Sequence, residues 1–204
     1  MNRPEEVKAV IFDMDGVLVD SVRTWYLVFV ETLAEYGKTA VDYQDFKTSI
    51  MGESTEKDIE LFFPGATPET INKAYERNLA KFYNNLKPFP DSKEVLTQLK
   101  KRQIKTAVAT NSARDVTESI LNASMMRPLI DAIVCGDDVP KGKPDPAMLN
   151  KALKELGIPP HQAVFIGDTD VDAAAGKQAG IYTIGLKTMA DEEIESLSDV
   201  LAII

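Results

Sequence analysis

A short apolar strand that ends in two acids is predicted by residues 7–16, which read VKAVIFDMDG. The β-branched run from Val7 to Phe12 stops abruptly at Asp13, as a buried parallel strand does where it delivers a loop at its carboxyl edge. Asp13 and Asp15 are two residues apart, so both carboxylates could face one small site. Such a pair repels unless a divalent cation neutralises it or one acid stays protonated. A solvated acidic turn is the alternative.

The rest of the core is predicted from strands and helices that alternate along the chain. Further short apolar runs cover residues 104–109, 132–134, 163–166 and 181–184. Helix-like stretches cover residues 91–102, 113–123, 146–156 and 170–179. This alternation predicts an α/β fold with a Rossmann-like, doubly wound parallel sheet and ligands at the carboxyl ends of the strands.

One long segment, from about residue 19 to residue 86, contains no convincing strand. Its sequence indicates four helices, at residues 21–36, 42–49, 54–62 and 68–84, with glycine or proline breaks between them. We therefore predict an all-helical insertion at residues 18–87, carried by an α/β core made of residues 1–17 and 88–204.

Composition and charge limit the classes of partner. The chain has 204 residues, of which 44% are hydrophobic and 27% are charged, as in an ordinary globular protein. The 23 basic and 32 acidic residues give a net charge of −9, and the sequence pI is about 4.7. Nucleic acid and anionic membranes are therefore poor partners.

Targeting and cysteine content point to a cytoplasmic protein. The N-terminus has no apolar signal-peptide core, and no later stretch approaches the roughly 18 apolar residues of a membrane span. The single cysteine, Cys135, cannot form an internal disulfide and is expected to be a small buried hydrophobe.

Polar residues follow the other predicted strands too. Thr110 and Asn111 end the 104–109 run, and Lys143 follows the next strand. Asp168 and Asp172 are four residues apart, hence on one face of a helix, while Asp170 points elsewhere. Hydroxyls, helix-start amides and lysine bind phosphate oxygens, although each group could equally be a helix cap or a solvated loop.

The order of these groups resembles the haloacid dehalogenase superfamily. DMDGVLVDS at residues 13–21 is similar to its first motif and Thr110-Asn111-Ser112 to its second, while Lys143 and GDTDVD at residues 167–172 match the third and fourth. The likeness covers nearly the whole chain. It is nearest to the phosphoglycolate phosphatase-like and beta-phosphoglucomutase-like branch, in which a small helical cap covers the sheet edge.

This resemblance implies a Mg²⁺-dependent phosphatase that hydrolyses a small phosphorylated metabolite, such as phosphoglycolate or a sugar phosphate. Asp13 would be the nucleophile that forms an aspartyl phosphate, and Asp15 the general acid and base. The family pattern assigns phosphate binding to Thr110, Asn111 and Lys143. It assigns Mg²⁺ to Asp13, the backbone carbonyl of Asp15, Asp168 and Asp172, the last directly or through water.

The resemblance also suggests where the cap contacts a substrate. The loop at residues 51–55 is expected to face the core site, with Arg23, Gly52 and Thr55 as candidate specificity residues. Lys47, Lys57, Arg77 and Lys81 are further candidate contacts.

A phosphomutase is disfavoured because Trp25 stands where that branch usually has histidine. A non-catalytic, receiver-like phosphoacceptor module is the other alternative. Trp25 could also serve a dimer surface, so a monomer or a homodimer is expected.

Overall fold

The computed structural model, which describes residues 1–204, contains a six-stranded parallel sheet in the order β5-β4-β1-β6-β7-β8. The eight strands are β1 (Ala9–Phe12), β2 (Val19–Asp20), β3 (Lys87–Pro88), β4 (Lys105–Ala109), β5 (Ala132–Val134), β6 (Ala163–Gly167), β7 (Tyr182–Leu186) and β8 (Glu192–Ile194). The nine helices are α1 (Val22–Glu35), α2 (Tyr43–Ser49), α3 (Thr55–Phe62), α4 (Pro68–Phe82), α5 (Ser92–Lys101), α6 (Arg114–Ala123), α7 (Ala147–Leu156), α8 (Asp170–Ala179) and α9 (Val200–Ile203).

Strand β1 lies at the centre of the sheet and is buried on both faces. Its Ile11 is aligned with Ala107 of β4 on one side and with Phe165 of β6 on the other. Helices α5, α6 and α9 pack on one face, and α7 and α8 pack on the opposite face. Burial on both faces explains why these strands have continuous apolar runs. The predicted doubly wound α/β fold is confirmed.

The parallel arrangement brings the carboxyl ends of β1, β4 and β6 to one edge. Asp13 follows β1, Thr110 follows β4, and Asp168 follows β6 directly. These three strands are neighbours in the sheet, so residues far apart in sequence meet above its centre.

Helices α1 to α4 form the inserted segment. Phe29 of α1 is the centre of its apolar interior, with ring centroids 5.1 Å from Phe62 and 5.4 Å from Phe46. The segment leaves and re-enters the core through the short antiparallel pair β2 and β3, in which Val19 is aligned with Pro88. The exact division at residues 18–87 stays a prediction.

The C-terminal edge differs from the sequence prediction. Strand β8, at Glu192–Ile194, extends the sheet by a sixth strand that the apolar runs do not indicate. Its sequence is EEI, with only Ile194 buried. A short, acidic edge strand protects a sheet from pairing with other chains, and for that reason it has little apolar signal.

The structure also bears on two smaller predictions. Cys135 is fully buried, and burial raises the pKa of its thiol to about 12. No helix has both the length and the apolar character that crossing a bilayer requires.

Candidate active site

Lys143 is the buried centre of the acidic group at the sheet edge. Its Nζ donates to Asp13 Oδ1 at 2.6 Å and to Asp172 Oδ1 at 2.7 Å. The side chain is only 3% exposed. Burial opposes the positive charge, but the carboxylates of Asp13 and Asp172 outweigh it and raise the pKa of Lys143 above its usual range. The lysine is therefore a fixed positive charge.

Asp13 and Asp168 are held in an unfavourable environment for two carboxylates. Burial raises the pKa of Asp13, and the nearby acids raise it further, although Lys143 acts in the opposite direction. Burial also raises the pKa of Asp168, with further contributions from Asp13 and Asp172. The Oδ1 atom of Asp168 is buried and has no hydrogen-bond partner. An unpaired buried carboxylate oxygen is costly unless a ligand is bound to it.

Gly16 leaves room for Asp168. The residue has a φ of 87°, and a Cβ placed on it would lie 2.0 Å from Asp168 Oδ2. Glycine is therefore required here both by the backbone conformation and by the close approach of the acid. Asp13, Asp168 and Asp172 have carboxylate oxygens within 4.8 Å of one another, which makes the group able to hold a metal ion.

Within this acidic group, Asp172 differs because both of its oxygens are already bonded. Oδ1 accepts from Lys143, and Oδ2 accepts from Thr169 Oγ1 at 2.6 Å and from the amides of Asp168 and Thr169. Thr169 and Asp172 together form a capping box at the start of α8. Asp172 is thus a candidate ligand by distance, but its bonds favour a role in holding Lys143 and the loop.

The Asp15 side chain is oriented by donors from both the core and the inserted helices. Ser112 Oγ donates to its Oδ2 at 2.8 Å, and Thr110 Oγ1 lies 3.5 Å from the same atom. Trp25 Nε1 of α1 donates to Oδ1 at 2.7 Å. Trp25 is therefore partly buried, with its indole N–H directed at the site. The choice between a monomer and a homodimer stays a prediction.

Asn111 joins the core to the loop that precedes α3. Its Nδ2 donates to the carbonyls of Gly52 at 2.9 Å and Lys143 at 3.1 Å, and its Oδ1 accepts from the Lys143 amide at 2.8 Å. The side chain is therefore committed to loop contacts, which leaves its backbone amide for any phosphate. Gly52 also approaches Thr169 closely, so the loop faces the sheet edge as predicted.

A cavity of about 80 Å³ lies between the sheet edge and the inserted helices. Its lining includes Asp13, Asp15, Thr110, Lys143 and, from the helices, Thr55. This volume is well below the roughly 300–1,000 Å³ of typical sites for drug-sized ligands. The site in this conformation is suited to a small ligand.

Arg23 is not in this lining, in contrast to the other two residues proposed for specificity. Its guanidinium carbon lies 5.2 Å from the ring centroid of Tyr26 and 4.9 Å from that of Tyr43. Arg23 is thus exposed and stacked on aromatic side chains away from the cavity.

Several lining residues were not named as site residues by the sequence analysis, among them Trp25, Asp58, Tyr75 and Ser112. Ser112 was part of the quoted second motif, so a signal for it existed. The other three lie on amphipathic helices, where their types and spacing fit an ordinary packed face. Only the packing of the helices over the sheet edge shows that they face the site.

Comparison with known proteins agrees with this architecture. The profile described as "Haloacid dehalogenase-like hydrolase" matches residues 10–186. The chain is 33% identical over 181 residues to a phosphoglycolate phosphatase of Aquifex aeolicus, which covers 87% of this chain and 83% of the relative. It is 30% identical over 183 residues to a phosphorylated carbohydrates phosphatase of Thermotoga maritima, covering 87% and 84% of the two chains.

A solved structure extends the comparison to three dimensions. CbbY from Rhodobacter sphaeroides, crystallised in complex with phosphate, superposes with a TM-score of 0.84 at 24% identity and covers 97% of this chain and 98% of its own. At this identity the likeness concerns the fold. The sequence matches show that the chain belongs to the haloacid dehalogenase-like hydrolase family.

Within that family the chain is an enzyme, a phosphatase of phosphoric monoesters. The resemblance inferred from the four motifs is confirmed, including its nearness to phosphoglycolate phosphatases. The receiver-like alternative is therefore dropped.

Proposed function

We propose that this enzyme is a Mg²⁺-dependent phosphatase that acts on a small phosphorylated metabolite through an aspartyl-phosphate intermediate. The observation that carries the proposal is the asymmetry of Asp13. Lys143 holds its Oδ1 at 2.6 Å, while Oδ2 accepts no hydrogen bond and the residue lines the cavity. One oxygen is thus fixed and the other is free to attack a phosphorus atom.

The proposed first half-reaction uses Asp13 and Asp15. Asp13 Oδ2 forms a bond to phosphorus while the bond from phosphorus to the ester oxygen breaks, and Asp15 gives its proton to the departing alkoxide. In the second half-reaction Asp15 takes a proton from water, and the water oxygen bonds to phosphorus while the bond from phosphorus to Asp13 Oδ2 breaks. This step releases phosphate and restores the Asp13 carboxylate. The hydrogen bonds from Trp25 and Ser112 support this role because they fix the direction of the Asp15 carboxyl group.

Lys143 and Thr110 are proposed to bind the transferring phosphoryl group. Lys143 is buried beside Asp13, so its charge lowers the repulsion between this acid and an incoming dianion. Thr110 lies at the same end of the cavity, with its hydroxyl near Asp15. Backbone amides, including that of Asn111, are further candidate donors.

The residues at the sheet edge fit a hard divalent cation. Asp13 and Asp168 would hold it together with the backbone carbonyl of Asp15, and Asp172 would support the site through Lys143 and the loop. The unpartnered buried oxygen of Asp168 supports this assignment, because such an atom needs a ligand and Mg²⁺ prefers oxygen ligands. When bound, the ion would supply charge neutralisation for the phosphate and for the developing negative charge.

The test is the Asp13→Asn substitution. The variant should keep the fold, because the amide oxygen can still accept from Lys143, and it should lose all measurable release of phosphate from para-nitrophenyl phosphate. Asp170→Asn is the matched control, since Asp170 belongs to the fourth motif but is exposed. Turnover by a folded Asp13→Asn variant at the wild-type rate would refute the mechanism.

A further inference from the structure

The cavity has an unusual balance of charges for a site that receives phosphate esters. Its lining contains four acids, Asp13, Asp15, Glu53 and Asp58, and a single base, Lys143. That base is already bonded to Asp13 and Asp172 at the sheet edge. The half of the cavity formed by the inserted helices therefore contains acids and no cation.

No basic residue of the inserted helices lines the cavity, and most of these residues contact other groups. Arg77 and Lys81 of α4 form ion pairs with Glu35 and Glu31 of α1, and Lys57 pairs with Glu60 on α3. Arg23 is stacked on two tyrosines. Since none of these groups lines the cavity, no basic side chain is available there for a second anionic group of a substrate.

Asp58 of α3 is the most distinctive acceptor on this side. It is 9% exposed, and the Tyr75 hydroxyl donates to its Oδ2 at 2.7 Å. Its Oδ1 accepts no hydrogen bond from the protein, although the residue lines the cavity. An acceptor oxygen of a largely buried side chain is satisfied when a ligand brings a donor to it.

The cavity next to this one is also lined mainly by acidic side chains among its charged residues. It shares Thr55, Asn72, Asn111, Ala113 and Val116 with the first cavity, which makes it the neighbouring space between the helices and the core. Its other charged lining residues are Glu56, Glu69, Glu76, Asp115, Asp137 and Lys73. Lys73 is itself paired with Glu69 at 2.6 Å. A substrate with additional negative charge would be repelled here as well.

We propose that the enzyme acts on phosphate monoesters whose alcohol part carries hydrogen-bond donors, as hydroxyl or ammonium groups, and no second anionic group. Asp58 is the specificity residue that accepts from such a donor and repels a carboxylate. This inference rests on the proposed phosphatase function and narrows its substrate class. Under this proposal, polyol, sugar and amino-alcohol phosphates are substrates, whereas phosphoglycolate and bisphosphates are disfavoured.

The test compares substrates that differ in one terminal group. The set is ethylene glycol phosphate, phosphoethanolamine and phosphoglycolate, with para-nitrophenyl phosphate as a common reference. Burial raises the pKa of Asp58 to about 7, although the hydrogen bond from Tyr75 acts in the opposite direction. The assay is therefore run at about pH 8, where Asp58 is ionised. We expect kcat/KM for the hydroxyl or ammonium ester to exceed that for phosphoglycolate by at least about tenfold.

A variant isolates the role of Asp58. Asp58→Asn removes the negative charge but keeps an acceptor for Tyr75. The ratio of kcat/KM between the hydroxyl or ammonium ester and phosphoglycolate should therefore fall several-fold in this variant. Glu60→Gln is the matched control, because Glu60 lies on the same helix and is exposed; it should keep the wild-type preference.

The outcomes separate the two proposals. Phosphoglycolate hydrolysed as well as or better than the other two esters would overturn the substrate class and leave the phosphatase function intact. An unchanged preference in Asp58→Asn would remove Asp58 from the specificity role. A folded enzyme that hydrolyses none of the four esters in the presence of Mg²⁺ would count against both proposals.

Discussion

The burial of one side chain, Asp58, should lower the free energy of unfolding at neutral pH. Burial raises its pKa to about 7, which outweighs the opposite effect of the Tyr75 hydrogen bond, while Glu53 and Glu56 add to the increase. The unfolded chain gives up this proton at lower pH than the folded chain does. The free energy of unfolding should therefore fall as the pH rises from about 4 to about 7.

Asp58→Asn should remove this contribution. We expect the variant to be more stable than the wild type at about pH 8, by on the order of 1 kcal/mol or more, and this advantage should vanish near pH 4. Urea unfolding at a series of pH values measures the difference. Glu60→Gln should follow the wild-type profile. A stability difference that does not change with pH would show that Asp58 is not the titrating group.

The acids of the core motifs could be predicted from the sequence, whereas Asp58 could not. Asp13 and Asp168 each follow a recognisable apolar strand, and parallel strands bring their carboxyl ends to one edge. Asp58 lies within an amphipathic helix, where an acid usually marks the solvated face. Its burial depends on packing against Tyr75, seventeen residues later in another helix.

Among the helices, α8 combines a structural cap with a possible role in the site. Thr169 Oγ1 accepts from the Asp172 amide and donates to Asp172 Oδ2, whose other oxygen contacts Lys143. The sequence predicts both a helix start and a ligand pair at these positions. It cannot separate the two roles, because an aspartate with two oxygens can cap a helix and contact a lysine at once.

Thr169→Ala should therefore have two effects. Loss of the cap should lower the free energy of unfolding by about 1 kcal/mol, and loss of the bond to Asp172 should lower kcat several-fold because Lys143 is held less firmly. Thr67→Ala is the control, since Thr67 caps α4 by accepting from the Thr70 amide. It should cost similar stability and leave kcat unchanged. Equal kcat values in both variants would limit Thr169 to a capping role.

The strands show where local sequence signals end. The central strands were predicted to within two residues because burial on both faces requires an apolar run. Strand β8 lacks such a run and is defined by its pairing with β7, in which Ile184 is aligned with Glu192. Pairing at an edge is a tertiary interaction, so the sequence of a short acidic segment gives no sign of it.

The molecule as a whole should be stabilised by a divalent cation. The buried, unpartnered oxygen of Asp168 lies in a group of carboxylates that repel one another in the absence of a ligand. A cation that binds only the folded chain adds about 2.7 kcal/mol to the free energy of unfolding at 100 times its Kd. Mg²⁺ should accordingly raise Tm above the value measured in EDTA. Differential scanning calorimetry measures this difference.

Asp168→Asn should reduce this increase in Tm, and Asp170→Asn should preserve it. The exposed position of Asp170 makes it a control for general charge effects. A wild-type Tm that is the same with Mg²⁺ and with EDTA would contradict the proposed metal site, whatever the catalytic rates are.

The contact between Trp25 and Asp15 joins the inserted helices to the core, and it has a spectroscopic consequence. Trp25 is the only tryptophan of the chain, and its indole nitrogen lies 2.7 Å from Asp15 Oδ1. Indole emission depends on the polarity and the electric field around the ring. Opening of the helices or arrival of a phosphate group would change both, so the indole fluorescence of the unlabelled protein should report on the contact between the inserted helices and the candidate site.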